Sequence, residues 1–170
     1  MSPAILVLLA LGLGLAGWLA ARSRAYAFKG SDSVRLHSLP SYHAWYVALW
    51  AFVPAILFAL VWSVVSPQLI LQAMLSHPAA DALPPFGLAR NTILGEAIAV
   101  ANGDMQAVFD PRAQGLVEPA RDAISRYGLI GLAITLIAGF AGGAFAFLKL
   151  RPDFTARTRV ERMVMGLLLL

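Results

Sequence analysis

The chain has 170 residues, 59% of them hydrophobic and 13% charged, with a formal net charge of +4. A mean hydropathy of +0.74 is too high for a water-soluble domain of this size and assigns the chain to a lipid bilayer. The absence of cysteine excludes disulfides, thiolate metal sites and cysteine nucleophiles, and the basic residues sit beside apolar runs rather than along an aromatic-interleaved face, which argues against nucleic acid as a partner.

The first apolar run, residues 3–21, contains no charged side chain, and neither do residues 44–66 or 127–148. Each run is long enough to cross a hydrocarbon layer of about 30 Å, which takes roughly 20 helical residues. Helix is the form expected for all three, because a lone strand in lipid leaves its backbone amides unpaired. The first run could alternatively be a signal peptide with Ala25-Tyr26-Ala27 at the cleavage site. Against that, no Lys or Arg precedes the run, whereas Arg22, Arg24, Lys29 and Arg35 follow it, the asymmetry of an uncleaved helix inserted N-terminus first.

Those basic residues face only Asp32 in the first connection. In residues 67–126, Asp81, Glu96, Asp104, Asp110, Glu118 and Asp122 outnumber Arg90, Arg112, Arg121 and Arg126. After the third run come Lys149, Arg151, Arg157, Arg159 and Arg162, against Asp153 and Glu161. By the positive-inside rule this places the N-terminus and residues 67–126 outside the cytoplasm, and residues 22–43 and 149–162 within it.

Small residues recur four apart at Ala10 and Gly14, Gly12 and Ala16, and Gly139 and Gly143, a spacing that lets helices approach closely. The plainer explanation is that Gly and Ala are common in membrane helices. Trp45, Tyr46, Trp50 and Trp62 stand near the ends of the second span, where aromatic side chains anchor helices at the interface. Within the extracytoplasmic segment 67–126, Pro78, Pro84 and Pro85 break the chain. Residues 88–101 then carry helical spacing with Asn102-Gly103 as a stop, and Glu118-Pro119 reads as the start of a helix that runs on into the third span. The acidic residues there have no ligand-like spacing, and solvated surface charge is their default reading. His37 and His43 lie in the first connection and His77 in the segment 67–126, without further ligands spaced to join them. No phosphate-cradling loop, H-E-x-x-H or serine elbow occurs, so no catalytic, cofactor-binding or metal-binding residue is assigned. The span interiors hold none of the ionisable groups that transport paths need.

The final run, 163–170, follows the basic linker 149–162 and reads as the start of a further, truncated transmembrane helix. The fold class expected is thus an all-α integral membrane protein: three transmembrane helices, the start of a fourth, and short helices in the extracytoplasmic segment.

Two stretches, Leu36-His-Ser-Leu-Pro-Ser-Tyr-His-Ala-Trp-Tyr-Val-Ala-Leu-Trp50 with Pro54, and Arg151-Pro-Asp-Phe-Thr-Ala-Arg-Thr-Arg-Val-Glu-Arg162, together with the order of spans and loops, resemble the N-terminal region of the phosphate ABC transporter permease PstC. The resemblance implies a bacterial inner-membrane location, a following transport core, and three protein partners: a second permease subunit like PstA, a cytoplasmic ATPase subunit like PstB and a periplasmic phosphate-binding protein. Hydrolysis of ATP would fall to the separate ATPase subunit, and Arg157, Arg159, Glu161 and Arg162 would belong to the cytoplasmic linker before the core. The role implied for residues 1–148 is a membrane anchor and packing scaffold in which Gly12, Ala16, Gly139 and Gly143 are the helix-packing candidates. Two other readings remain open from the residues alone: a membrane sensor that receives its input through residues 67–126, and a complete small scaffold subunit.

Overall fold

The structure is a computed structural model that describes residues 3–29, 40–85, 87–150 and 156–169. Helix α1 spans Pro3–Lys29, α2 Pro40–Leu75, α3 Leu88–Asn102, α4 Pro111–Leu148 and α5 Ala156–Leu168, with one turn of 3-10 helix at Pro78–Ala82. No strand occurs among the described residues. Three helices are long and apolar enough to cross a membrane, over Ala4–Arg24, Ser41–Leu75 and Pro111–Leu148. His37 and the basic and acidic residues Arg35, Asp32, Arg151 and Asp153 lie outside the described residues.

The chain divides into two compact units, one formed by Val61–Leu132 and the other by the residues up to Leu60 together with those from Ala133 onward. In the first, Met74 from α2, Ile93, Leu94 and Ala97 from α3, and Ala113, Leu116, Val117 and Ala120 from α4 form a buried cluster. The α3 residues in it recur at helical spacing, and the helix ends where the backbone must turn left-handed. Gly103 has φ +84°, its N–H donates to the Val100 carbonyl at 3.1 Å, and the Asp104 N–H donates to Ala99 at 2.8 Å. This is a Schellman close, for which glycine is the residue without a steric penalty.

The start of α4 lies earlier than Glu118-Pro119. The helix begins at Pro111, and Pro119 is carried inside it. The reason is capping chemistry: the short Asp110 side chain reaches the Arg112 N–H at 2.8 Å, and Pro111 takes the first helical position, where a missing N–H costs nothing. Glu118 instead pairs along the exposed surface with Arg121, at 2.7 Å. The chain leading into Asp110 is fixed by Glu96 of α3, whose Oε2 accepts the N–H groups of both Phe109 and Asp110 at 3.1 Å.

The second unit has a different interior. Its buried positions are largely alanine, including Ala10, Ala21, Ala44, Ala48, Ala51, Ala55 and Ala146. Large apolar side chains point outward instead: Leu8 is 66% exposed, Leu15 60%, Ile137 66% and Phe140 71%. Small residues inside and large aliphatic ones outside is the arrangement expected where the surroundings are lipid, because burying a leucine away from acyl chains yields no hydrophobic gain and close backbone approach is what holds helices together.

Candidate helix-packing site and its basic rim

Close approach in this second unit centres on one stretch of α4 against one stretch of α2. A Cβ placed on Gly139 would lie 2.6 Å from Leu13 Cδ1, 3.1 Å from the Ala51 carbonyl oxygen and 3.3 Å from Ala55 Cβ. One on Gly143 would lie 3.2 Å from Ala51 Cβ. A side chain at Gly142 would collide with the Trp50 carbonyl oxygen. That carbonyl is special in α2: its helical partner four residues on would be the N–H of Pro54, which proline lacks. Gly142 therefore sets its Cα against an oxygen the helix cannot use, an approach suited to a weak Cα–H···O contact. On α1, a Cβ at Gly14 would lie 3.2 Å from Phe52 Cβ, and one at Gly17 3.4 Å from Val47 Cγ1.

Of the pairs singled out by spacing, Ala10 with Gly14 is buried, and Gly139 with Gly143 sits against α2. Gly12 is exposed with nothing within 4 Å of its would-be Cβ. Ala16, also exposed, borders a furrow of about 340 Å³ that Gly139 and Gly143 line from α4. Gly142 was not among the candidates read from spacing, because its role depends on a proline on another helix.

The aromatic residues near the start of α2 do not all face outward. Trp45 is 53% exposed, but Tyr46 is buried, and Trp50 packs its ring 5.2 Å from Phe145 and 6.4 Å from Tyr46. The room for two inward rings comes from the small residues beside them, Ala44, Val47 and Ala146. His43 is buried in the same helix, while His77 caps the 3-10 turn by accepting the Ala79 N–H at 3.2 Å.

A basic rim borders this core. The Arg22 guanidinium lies 4.7 Å from the Trp18 ring centroid and 5.7 Å from that of Tyr26. Arg24 stacks on Phe147 at 4.6 Å, and the Lys149 ammonium lies 4.1 Å from the Phe145 ring. These cation–π contacts let long side chains lie along apolar surface while their charge stays at the edge. Helix α5 extends the rim. Its Val160 is buried with Tyr46, Val47, Ala146 and Leu150, while Arg157, Arg159, Glu161 and Arg162 are exposed. Arg157 Nε donates to Glu161 Oε1 at 2.8 Å, and that hydrogen bond and the carboxylate charge hold the guanidinium further above its ordinary value. Arginine is charged at any physiological pH, so the pair acts as a fixed surface clasp and not as a switch.

Three long apolar helices, small-residue interlocking and charges gathered at the helix ends define a multi-pass helical membrane protein. A family model described as "Phosphate ATP-binding cassette transporter" matches residues 5–170, and the chain belongs to that family of phosphate ATP-binding cassette transporters. No curated protein and no solved structure matches the chain.

Proposed function

We propose that the chain is the N-terminal membrane region of a PstC-type permease subunit of an ATP-driven phosphate importer, and that it serves as anchor and scaffold for the transport core. The observation that carries this reading is the interlock of Gly139, Gly142 and Gly143 with Trp50, Ala51 and Ala55, within the runs 44–66 and 127–148, which hold no charged residue. A pathway for an anion needs polar or charged groups at membrane depth, whereas a support needs rigid helix contacts. Family membership supplies the link to phosphate.

In this reading the protein is a multi-pass component of the bacterial inner membrane with its N-terminus extracytoplasmic. The acidic segment 67–126 is extracytoplasmic as well, and the basic rim faces the cytoplasm. The stretch from Lys149 through α5 joins the scaffold to the core, with Arg157, Arg159, Glu161 and Arg162 on its exposed side. The partners are a PstA-like permease subunit, a PstB-like ATPase that hydrolyses ATP in place of this chain, and a periplasmic phosphate-binding protein. The test is to delete residues 1–148 from the full-length permease and measure assembly of the complex and phosphate uptake. The scaffold role requires that assembly falls and uptake falls with it; unchanged assembly and uptake would remove it.

A further inference from the structure

Beyond anchoring, the second unit carries an outward furrow with a cationic end. Residues Leu11, Leu15 and Trp18 of α1 and Trp45, Leu49 and Phe52 of α2 line a groove of about 500 Å³. Its floor is set by Gly14 and Ala48, both buried, and the contact of Gly14 with Phe52 shows how closely the two helices approach beneath it. Both walls follow from helical spacing. Leu11, Leu15, Trp18 and Arg22 fall on one stripe of α1, and Trp45, Leu49 and Phe52 on one stripe of α2. The α1 stripe therefore passes from aliphatic to indole within the groove and reaches the Arg22 guanidinium one turn beyond Trp18.

Arg22 is exposed, and among the described residues no carboxylate pairs with it. Its guanidinium carbon lies over the Trp18 and Tyr26 rings, and these contacts hold the side chain in place. Cation–π contacts use the face of a guanidinium and leave the in-plane N–H donors for other bonds, in the forked geometry that suits a phosphate diester. An apolar groove whose last indole, Trp18, carries an exposed arginine beside it suits an acyl chain of a phospholipid with the headgroup phosphate beyond.

We propose that this groove binds an anionic phospholipid, with an acyl chain along Leu11, Leu15, Leu49 and Phe52 and the headgroup phosphate on Arg22. The charge at the end of the groove favours a headgroup with net negative charge over a zwitterionic one, whose choline cation offsets the attraction of its phosphate for the arginine. The site is distinct from the helix contacts of Gly139 and Gly143 and does not depend on which solute the protein moves.

The test uses the full chain in nanodiscs of equal parts phosphatidylglycerol and phosphatidylcholine, with the lipids retained after detergent extraction identified by native mass spectrometry. The expected result is selective retention of phosphatidylglycerol. Arg22→Gln lowers that retention about fivefold, the scale of one basic side chain near an anionic lipid surface, and Arg22→Lys lowers it less. Arg112→Gln, a charge on the other unit, leaves it unchanged, and helix content by circular dichroism confirms that each variant is folded. Equal retention of the two lipids, equal loss from Arg112→Gln, displacement of the lipid by inorganic phosphate, or a dimer that carries no bound lipid would each overturn the proposal.

Discussion

The unit formed by Val61–Leu132 and the unit formed by the remaining residues solve opposite packing problems. In the first, Met74, Ile93, Leu94, Leu116 and Val117 turn inward, and backbone N–H groups donated to the Glu96 and Asp110 carboxylates fix the entry into α4. This part of the unit is a core filled by large side chains and fixed by polar contacts. In the second, alanine and glycine fill the interior and leucine, isoleucine and phenylalanine face out. The lesson is that one chain uses side-chain size in two senses, large residues filling one core and small residues letting helices close in the other.

The comparison predicts different responses to the same kind of change. Cutting a large side chain out of the first unit should cost most. Leu116, fully buried, should lose about 3 kcal/mol on replacement by alanine, the ordinary scale for a cavity left by a core leucine, as read from denaturant unfolding of the detergent-solubilised chain. Enlarging a residue in the second unit comes next: Gly142→Ala should cost about 2 kcal/mol through its collision with the Trp50 carbonyl. The same substitution at exposed Gly12 should be nearly neutral, since nothing lies within 4 Å of the added carbon. If Gly142→Ala and Gly12→Ala behaved alike, the size rule for this unit would fail.

Smaller effects test the polar frame of the first unit. Glu96→Ala removes the acceptor of two backbone N–H groups and should cost about 1 to 2 kcal/mol, with faster amide exchange at Phe109 and Asp110 as its local signature. Gly103→Ala forces a side chain into the left-handed region and should cost about 1 kcal/mol. Hydrogen exchange at Gly103 and Asp104 would show whether the Schellman bonds are the ones lost.

Much of this architecture could be read from the residues. The three spans were legible because an uncharged run of that length has few alternatives, and α3 with its Asn102-Gly103 close was legible because helical periodicity and a left-handed glycine are both local signals. The start of α4 was misplaced although the sequence contains Asp110-Pro111. Two acidic-proline pairs compete there, and only side-chain reach, short for aspartate and long for glutamate, separates a cap from a surface charge.

The helix-packing site was legible in half. Gly139 and Gly143 carry the four-residue signature, but Gly142 matters only because Pro54 leaves Trp50 without its helical N–H and because α2 and α4 meet in one particular register. Spacing within a helix cannot give register between helices. The same limit hid the contact of Arg24 with Phe147, whereas Trp18, Arg22 and Tyr26 stand four apart on α1 and could have been seen as a stack.

The most direct test of the central claim, that glycines of α4 interlock with α2 to make a rigid membrane scaffold, is a cross-link in native membranes. The chain contains no cysteine, so a pair can be introduced without background. A Cβ at Gly143 would stand 3.2 Å from Ala51 Cβ, close to the separation a disulfide spans. The double variant Ala51→Cys with Gly143→Cys should oxidise readily and keep the two parts of the chain joined after proteolytic cleavage between α2 and α4, while Gly12→Cys with Gly143→Cys should not. Failure of the first pair to join, or equal joining of both pairs, would contradict the interlock.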